Sequence, residues 1–273
     1  MTDSADPAAS TDGTGAAVRA ALDARADPDR AALAARYFQT GPGQYGEGDV
    51  FIGVRLPDMR LLVRQFAGLP LPEAEALLAS EVHEHRLAAL LILVGRFRRA
   101  GRARTRDEAE RTRLSEFYLD AVRRGRVNNW DLVDVSAPTL LGEYLVDRPR
   151  DVLFELAGSD SLWQRRVAML ASSAFLAHGD ATTTLALAER LLGDRESLIH
   201  KAVGWMLREV GKVDRALLLG FLDAHAGRMP RTALSYATEH LDPEVRARYR
   251  AHPRRARAAS ASASAEIDRS GRD

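Results

Sequence analysis

Apolar residues in the middle of the chain recur at intervals of three and four positions, which is the spacing of one face of an α-helix. The clearest run is "VHEHRLAALLILVGRFRRA" (residues 82–100), with apolar positions at Val82, Leu87, Val94 and Phe97. The same spacing recurs in "SEFYLDAVRRG", "LWQRRVAMLASSAFLA" and "ESLIHKAVGWMLREVGK". No segment shows a convincing alternation of strand type, so the pattern predicts an all-α fold.

Helices of about 10 to 17 residues, separated by short turns, predict stacked antiparallel helix pairs. We therefore expect a helical solenoid, although no clean repeat motif can be aligned, and the concave side of a solenoid can serve as an extended binding surface. Glycines at the expected helix ends support this division. They are Gly125, Gly158, Gly193, Gly211 and Gly227.

The two ends of the chain differ in composition from the middle. Residues 1–14 are polar and are expected to form a disordered tail. Residues 253–273 contain an Arg-rich stretch and then a Ser/Ala-rich one, "AASASASAEIDRSGRD", and are expected to form a second disordered tail. The helical-repeat domain is predicted to span residues 15–252.

The bulk composition excludes several classes of protein. The 273 residues are 46% apolar and 28% charged and can build a sizeable core. The absence of cysteine excludes disulfides, thiolate catalysis and cysteine-based zinc sites. No apolar run approaches the roughly 20 residues that span a bilayer, and the N-terminus does not resemble a secretory signal. We expect a cytoplasmic monomer with no membrane partner.

The net charge of +1 argues neither for nor against a nucleic-acid partner, because a local basic face can still meet phosphate. Lysine occurs only at Lys201 and Lys212, which leaves few candidates for an amine nucleophile. The basic side chains are otherwise arginines.

Two motifs suggest a cofactor or a metal but lack the required context. "GPGQYG" (residues 41–46) has three glycines in a dinucleotide-binding pattern, yet it follows a predicted helix and no strand-turn-helix unit surrounds it. We interpret it as a flexible loop and expect no cofactor. His83, Glu84 and His85 place two histidines on different helical faces, whereas zinc proteases need a spacing of four. We expect an exposed helix start and no metal.

The stretch "NNWDLVD" (residues 128–134) places an indole beside a carboxylate. Trp130 and Asp134 are four residues apart and share a helical face. Asp131 is a natural first-turn residue that complements the helix dipole. Asp134 is therefore the preferred working carboxylate, and Asp131 is assigned a structural role.

Two further segments could meet phosphate, and the residues alone leave both open. Lys201, Trp205 and Arg208 form one stripe of a helix, which either faces phosphate and sugar or is a core tryptophan flanked by snorkelling cations. Arg165 and Arg166 are adjacent, so normally no more than one points into a groove. The alternative for this pair is a surface ion pair.

Four stretches together resemble the AlkD-type bacterial DNA alkylation repair enzymes, which are DNA glycosylases built from HEAT-like helical repeats. They are "YFQTGPGQYGEGDVFIGVRLPDMR", "NNWDLVDVSAPTLLGEYL", "LWQRRVAML" and "HKAVGWMLREVGK". The resemblance runs from residues 35–41 to residues 229–241. It implies a right-handed superhelical solenoid of antiparallel helix pairs (HEAT-like repeats), whose positive concave face holds duplex DNA containing alkylated purines. It also implies a protein that is nucleoid-associated while it acts.

The resemblance also implies roles for particular residues. The family motif W-D-x-x-D matches Trp130, Asp131 and Asp134, so the catalytic carboxylate falls on Asp134. The aromatic side chains that contact the sugar of the lesion fall on Trp130 and Trp205. A phosphate-contacting arginine falls on Arg166, and a tyrosine near the substrate falls on Tyr37.

One position departs from the pattern, since some family members carry a lysine where this chain has Ala174. The lysine contact to DNA that the pattern implies is therefore missing at that position. Further phosphate contacts are assigned to Arg208, Lys201 and Arg231.

The resemblance implies a monofunctional N-glycosylase, a hydrolase that removes 7-methylguanine and 3-methyladenine types of base without extruding them from the duplex. The alternative is a non-catalytic HEAT-like scaffold that binds DNA or protein. The sequence feature that separates the two is Asp134 beside Trp130, because a scaffold does not require this pair.

Overall fold

Helices account for most of the residues that the computed structural model describes, 13–251, and no strand occurs among them. The helices are α1 (Gly15–Asp23), α2 (Pro28–Tyr37), α3 (Leu56–Leu62), α4 (Leu71–Leu78), α5 (His83–Ala100), α6 (Glu108–Arg123), α7 (Trp130–Ala137), α8 (Asp151–Ala157), α9 (Leu162–Ala171), α10 (Ser173–Leu176), α11 (Thr182–Leu191), α12 (Ser197–Val213), α13 (Arg215–His225), α14 (Arg231–Ala237) and α15 (Pro243–Ala251). The predicted all-α fold is confirmed for this part of the chain.

The described residues divide into two compact units between Asp180 and Ala181. The first unit holds α1 to α10, and the second holds α11 to α15. Superhelical handedness stays a prediction. The predicted tails lie outside the described residues except for Gly13 and Thr14, and Thr14 caps α1 by accepting a hydrogen bond from the Ala17 N–H. No helix in residues 13–251 is both long enough and apolar enough to cross a membrane.

In the first unit, α5 is the central helix. It packs against α4, α6 and α7, and α7 packs in turn against α9. Every residue of α5 from His83 to Leu90 is buried. Neighbouring segments therefore cover the polar positions of these turns as well as the apolar ones. An isolated bridge between Val50 and Val82 ties the loop before α3 to the start of α5.

In the second unit, α12 packs against α11, α13 and α14. Its apolar stripe is buried as the spacing predicted; the stripe consists of Leu198, Ala202, Met206 and Val210. A Cβ added at Gly204 would lie 2.5 Å from the Ala233 carbonyl oxygen and 2.6 Å from Tyr236 Cβ. The missing side chain therefore permits the close approach of α12 and α14.

The predicted helix ends are partly right. Gly158 is the C-cap of α8, and Gly125 follows α6 with a positive φ of 73°. Gly211 was assigned wrongly as a helix end, because α12 continues to Val213. A Cβ at Gly211 would lie 2.5 Å from Leu218 Cδ2. Gly211 therefore lies inside the helix beside the Leu218 side chain of α13, and a pattern-based rule does not distinguish this position from a helix end.

We expect Gly204→Ala to lower the free energy of unfolding by about 1–3 kcal/mol, because the added methyl group would overlap α14. The matched control is Gly220→Ala in α13, where nothing lies within 4 Å of the added Cβ. The control should stabilise the protein by about 0.5–1 kcal/mol through helix propensity. Urea unfolding of both variants measures the change in the free energy of unfolding. An equal increase for both variants would contradict the close approach of α12 and α14.

Candidate active site

Helices α7 and α9 bring Asp134 and Arg166 together in a two-pronged ion pair. Arg166 Nε donates to Asp134 Oδ1 at 2.9 Å, and Arg166 Nη2 donates to Oδ2 at 2.8 Å. The side chains are 5% and 17% exposed, respectively. Burial raises the pKa of Asp134 above its ordinary value, and the neighbouring guanidinium opposes this without cancelling it. The pair fixes the direction of the carboxylate.

The positions of Arg165 and Arg166 bear on the two roles that the sequence left open for them, a phosphate contact or a surface ion pair. Arg166 is buried and directed at a carboxylate, so any contact it makes with phosphate has to coexist with this ion pair. Arg165 donates through Nη1 to the carbonyl oxygens of Ser159 and Asp160, at 3.0 and 2.9 Å. These two hydrogen bonds fix the turn before α9.

An aromatic cluster surrounds the start of α7. The Trp130 ring stacks on Phe38 with centroids 5.1 Å apart and planes 11° from parallel. Phe38 stacks in turn on Phe51 at 4.9 Å. Tyr37 meets the Trp130 ring edge-on at 6.0 Å and is 67% exposed. Tyr37 and half-buried Trp130 therefore present aromatic surface beside the carboxylate.

A cavity of about 350 Å³ opens next to this cluster. Its lining includes Phe38, Phe51, Trp130, Asp131 and Asp134. Aromatic walls with a few carboxylates form a site that suits a flat or cationic group. Trp130 and Asp134 thus border one space, as their shared helical face predicted.

A buried network of charges lies beneath the cavity. His83 Nδ1 is 3.1 Å from Asp49 Oδ2, and His83 Nε2 is 2.8 Å from Asp131 Oδ2. Asp49 also forms an ion pair with Arg86 and accepts a hydrogen bond from Asn129 Nδ2 at 2.8 Å. Since both ring nitrogens face carboxylate oxygens, the doubly protonated imidazolium fits best. The network links α5, the loop before α3 and the first turn of α7.

The pKa values of the network follow from these contacts. Burial alone lowers the pKa of His83, but hydrogen bonds to Asp131 and Asp49 outweigh it, and the pKa is raised. Burial alone raises the pKa of Asp49, but the bonds from His83, Arg86 and Asn129 outweigh it, and the pKa is lowered. The charged forms of both partners are favoured.

Asn129 joins this network to the helix that carries the candidate site. It is the N-cap of α7, and its side-chain oxygen accepts a hydrogen bond from the Trp130 N–H at 2.8 Å. Its amide group donates to Asp49 at the same time. The cap therefore fixes where α7 begins and which way Trp130 and Asp134 point.

The sequence predicted an exposed helix start for "HEH", and this is wrong in part. A helix does begin at His83, but His83, Glu84 and His85 are all buried. Glu84 accepts hydrogen bonds from the N–H groups of Ile52 and Gly53, which cover it. Among residues 13–251 no group of three potential ligands could hold a metal. "GPGQYG" lies in a turn-rich loop, as expected.

The remaining candidates lie on the second unit. Trp205 is half-buried and donates from Nε1 to Glu209 Oε1 at 3.2 Å. Arg208 forms ion pairs with Glu239 and Glu209. Lys201 and Arg231 are exposed. Trp205 is therefore neither a fully buried core residue nor a fully exposed one.

Comparison with known proteins assigns the chain to a family. The model of a family described as "DNA alkylation repair enzyme" matches residues 18–241. This chain belongs to the DNA alkylation repair enzyme family. The membership indicates a role in DNA repair. The matched residues lie in both units and include all eight candidate site residues.

A solved structure agrees with this assignment at the level of the fold. It is described as "Predicted DNA alkylation repair enzyme from Enterococcus faecalis" and superposes with a TM-score of 0.60 at 19% sequence identity. The match covers 80% of this chain and 98% of that chain. No curated protein sequence matches the chain significantly.

The raised pKa of His83 predicts how stability depends on pH. The pKa of His83 in the folded protein lies above the ordinary value of 6.5. The ionic bonds of its imidazolium therefore stabilise the fold fully below pH 6.5. This contribution is lost as the pH rises through the folded-state pKa. The difference in Tm between wild type and His83→Gln should therefore shrink as pH rises above 6.5. Thermal unfolding at several pH values measures it.

His85→Gln serves as the control because burial lowers the pKa of His85. Its contribution to stability should be present above pH 6.5 and lost as pH falls. Parallel pH trends for the two variants would contradict the assigned charge states.

Proposed function

We propose that this protein is a monofunctional DNA glycosylase that hydrolyses the N-glycosidic bond of cationic alkylated purines in duplex DNA. The observation that carries the proposal is the carboxylate of Asp134, aligned by Arg166 and bordering one cavity with Trp130. Membership of the DNA alkylation repair family supplies the class of substrate.

The chemistry that this carboxylate can support is limited and suits an activated substrate. Alkylation at N3 or N7 makes the purine cationic, and it leaves as a neutral base without protonation by the enzyme. Positive charge then develops on the deoxyribose as the bond breaks. Asp134, held in place before the reaction, stabilises that charge and orients the attacking water. A prepositioned group of this kind is worth about 3–4 kcal/mol in the transition state.

The aromatic side chains add to the same effect. Trp130 lies at the edge of the cavity and Tyr37 stands exposed beside it. Aromatic faces directed at a cationic sugar contribute about 0.5–2 kcal/mol each. We assign this role to Trp130 and, on the second unit, to Trp205, with Tyr37 near the substrate. In this proposal the lesion stays in the duplex and is attacked from its sugar side.

The distribution of lysine favours hydrolysis over a Schiff-base mechanism. The sequence has lysine only at Lys201 and Lys212, so the unit that carries Asp134 contains none. No lysine side chain of that unit can therefore form a Schiff base, which supports water as the nucleophile. We assign Arg208, Lys201 and Arg231 to phosphate contacts, which implies weak sequence preference and strong salt dependence.

The alternative is a scaffold without catalysis, in which Trp130 is a core residue. Trp130 is only half-buried and borders a cavity, which favours the enzyme. The scaffold hypothesis predicts that wild type releases no base from methylated DNA.

We expect Asp134→Asn to slow release of 7-methylguanine from methylated duplex DNA by about 10²–10³-fold, because the amide keeps the shape but removes the charge. Asp151→Asn is the matched control, because Asp151 is exposed in the first turn of α8 and does not line the cavity. The control should release base at the wild-type rate. Single-turnover release measures both variants, and Asp134→Asn at the wild-type rate would remove Asp134 from the catalytic role.

The raised pKa of Asp134 predicts the acid limb of the pH profile. The ionised form is the active one, so release should fall as pH drops, with a midpoint above the ordinary 3.8. Arg166→Gln should move the midpoint higher, because the guanidinium lowers the pKa of Asp134. The measurement is single-turnover release between about pH 4 and 8, corrected for spontaneous depurination. A flat profile in folded protein would contradict the assignment.

A further inference from the structure

A second cavity, of about 520 Å³, lies between α3 and α5 and is unlike the first in its charge. We propose that it is a track for the phosphates of the DNA strand that flanks the lesion. Five arginines line it, namely Arg60, Arg64, Arg98, Arg99 and Arg102. We call this surface the arginine groove. No acidic side chain is part of its lining.

The charge of the arginine groove is not neutralised by neighbours. Elsewhere in the first unit arginines sit against carboxylates, as Arg96 does against Glu110. Within residues 13–251, none of the five groove arginines lies within 4 Å of a carboxylate oxygen; Arg98 donates to Thr139 Oγ1 and Arg99 to a backbone carbonyl. Since the whole chain has a net charge of only +1, this concentration is local and attracts an anion.

The floor of the groove is open at Gly95. This glycine lies in the interior of α5, where glycine costs about 1 kcal/mol relative to alanine. In the part of the chain that the structure describes, nothing lies within 4 Å of a Cβ placed there, so packing among those residues does not require glycine. An exposed helix backbone between arginines allows a phosphate backbone to approach closely.

The groove continues the candidate active site along the same two helices. Leu56 and Leu87 line the cavity beside Asp134, and Arg60 and Leu91, one turn further on, line the groove. From Leu87 to Arg98 the axis of α5 rises by about 16 Å at 1.5 Å per residue. This distance corresponds to about five nucleotides of one strand, whose phosphates recur every ~3.4 Å along the duplex axis.

This extended shape favours a polymer over a single bound anion. The inference rests on the proposed function, because it takes duplex DNA as the substrate. The test uses undamaged duplex DNA, so that it does not depend on catalysis.

The first experiment removes three groove charges, with Arg60→Ala, Arg64→Ala and Arg102→Ala in one variant. A variant with the same loss of charge off the groove, Arg104→Ala, Arg113→Ala and Arg123→Ala, is the control. Each phosphate contact contributes about 0.9 to the slope of log K against log[salt]. The groove variant should reduce the slope by about 2–3, and the control by less than about 1. Equal reductions, or none in the groove variant, would overturn the proposal.

The second experiment substitutes Gly95, at the floor of the groove, and keeps all five arginines. Gly95→Glu places a carboxylate among the arginines, and Gly95→Gln adds the same bulk without charge. Both residues favour the helix more than glycine does, so the fold is retained. Gly95→Glu should weaken binding of undamaged duplex by about tenfold, and Gly95→Gln by less than about threefold. Equal binding by the two variants contradicts an anionic ligand.

The experiments distinguish failure of the groove assignment from failure of the glycosylase assignment. Release of 7-methylguanine by the wild type tests the glycosylase assignment, and the salt slope of the triple groove variant on undamaged duplex tests the groove assignment. If wild type releases no base while the groove variant still shows the reduced slope, the groove assignment stands and the glycosylase assignment falls. If release is normal and the slope is unchanged, the groove assignment falls alone.

Discussion

The first turns of α7 carry two carboxylates, Asp131 and Asp134. The packing of the first unit depends on the pairing of each carboxylate with a buried cation. Asp131 meets His83 from α5, and Asp134 meets Arg166 from α9. Removing one partner of a buried ion pair typically costs about 3–5 kcal/mol, because the other charge is left unpaired. These pairs therefore fix α7 between its neighbours, and they fix the direction of Trp130 and Asp134 at the same time.

The same interactions explain why the candidate site is ready before a substrate arrives. A carboxylate in water reorients as charge develops nearby, whereas Asp134 is held by two hydrogen bonds from one guanidinium. The cap at Asn129 and the stacking of Trp130 on Phe38 hold the indole in a similar way. Rigid placement of charge and π surface is what an already activated leaving group requires of a protein.

Cations in the first unit fall into two groups with different consequences. Arg166 and Arg86 are buried against carboxylates and define geometry. Among residues 13–251, no carboxylate oxygen lies within 4 Å of the five groove arginines, which project a positive potential. The second group produces long-range attraction for an anion, whereas the first group fixes the position of the Asp134 carboxylate. The charge around Asp134 and the charge of the arginine groove can therefore be changed separately.

The sequence by itself determined the all-α class, the buried stripe of α12 and the shared face of Trp130 and Asp134, because helical periodicity is a local property. It did not determine which segment covers a given face. His83 was predicted to be exposed, but the loop at Asp49, 34 residues earlier, buries it. Arg166 was assigned to phosphate and pairs with Asp134, 32 residues away. Such pairings arise only when distant helices pack, so the tertiary structure decided the charge states and partners of the site.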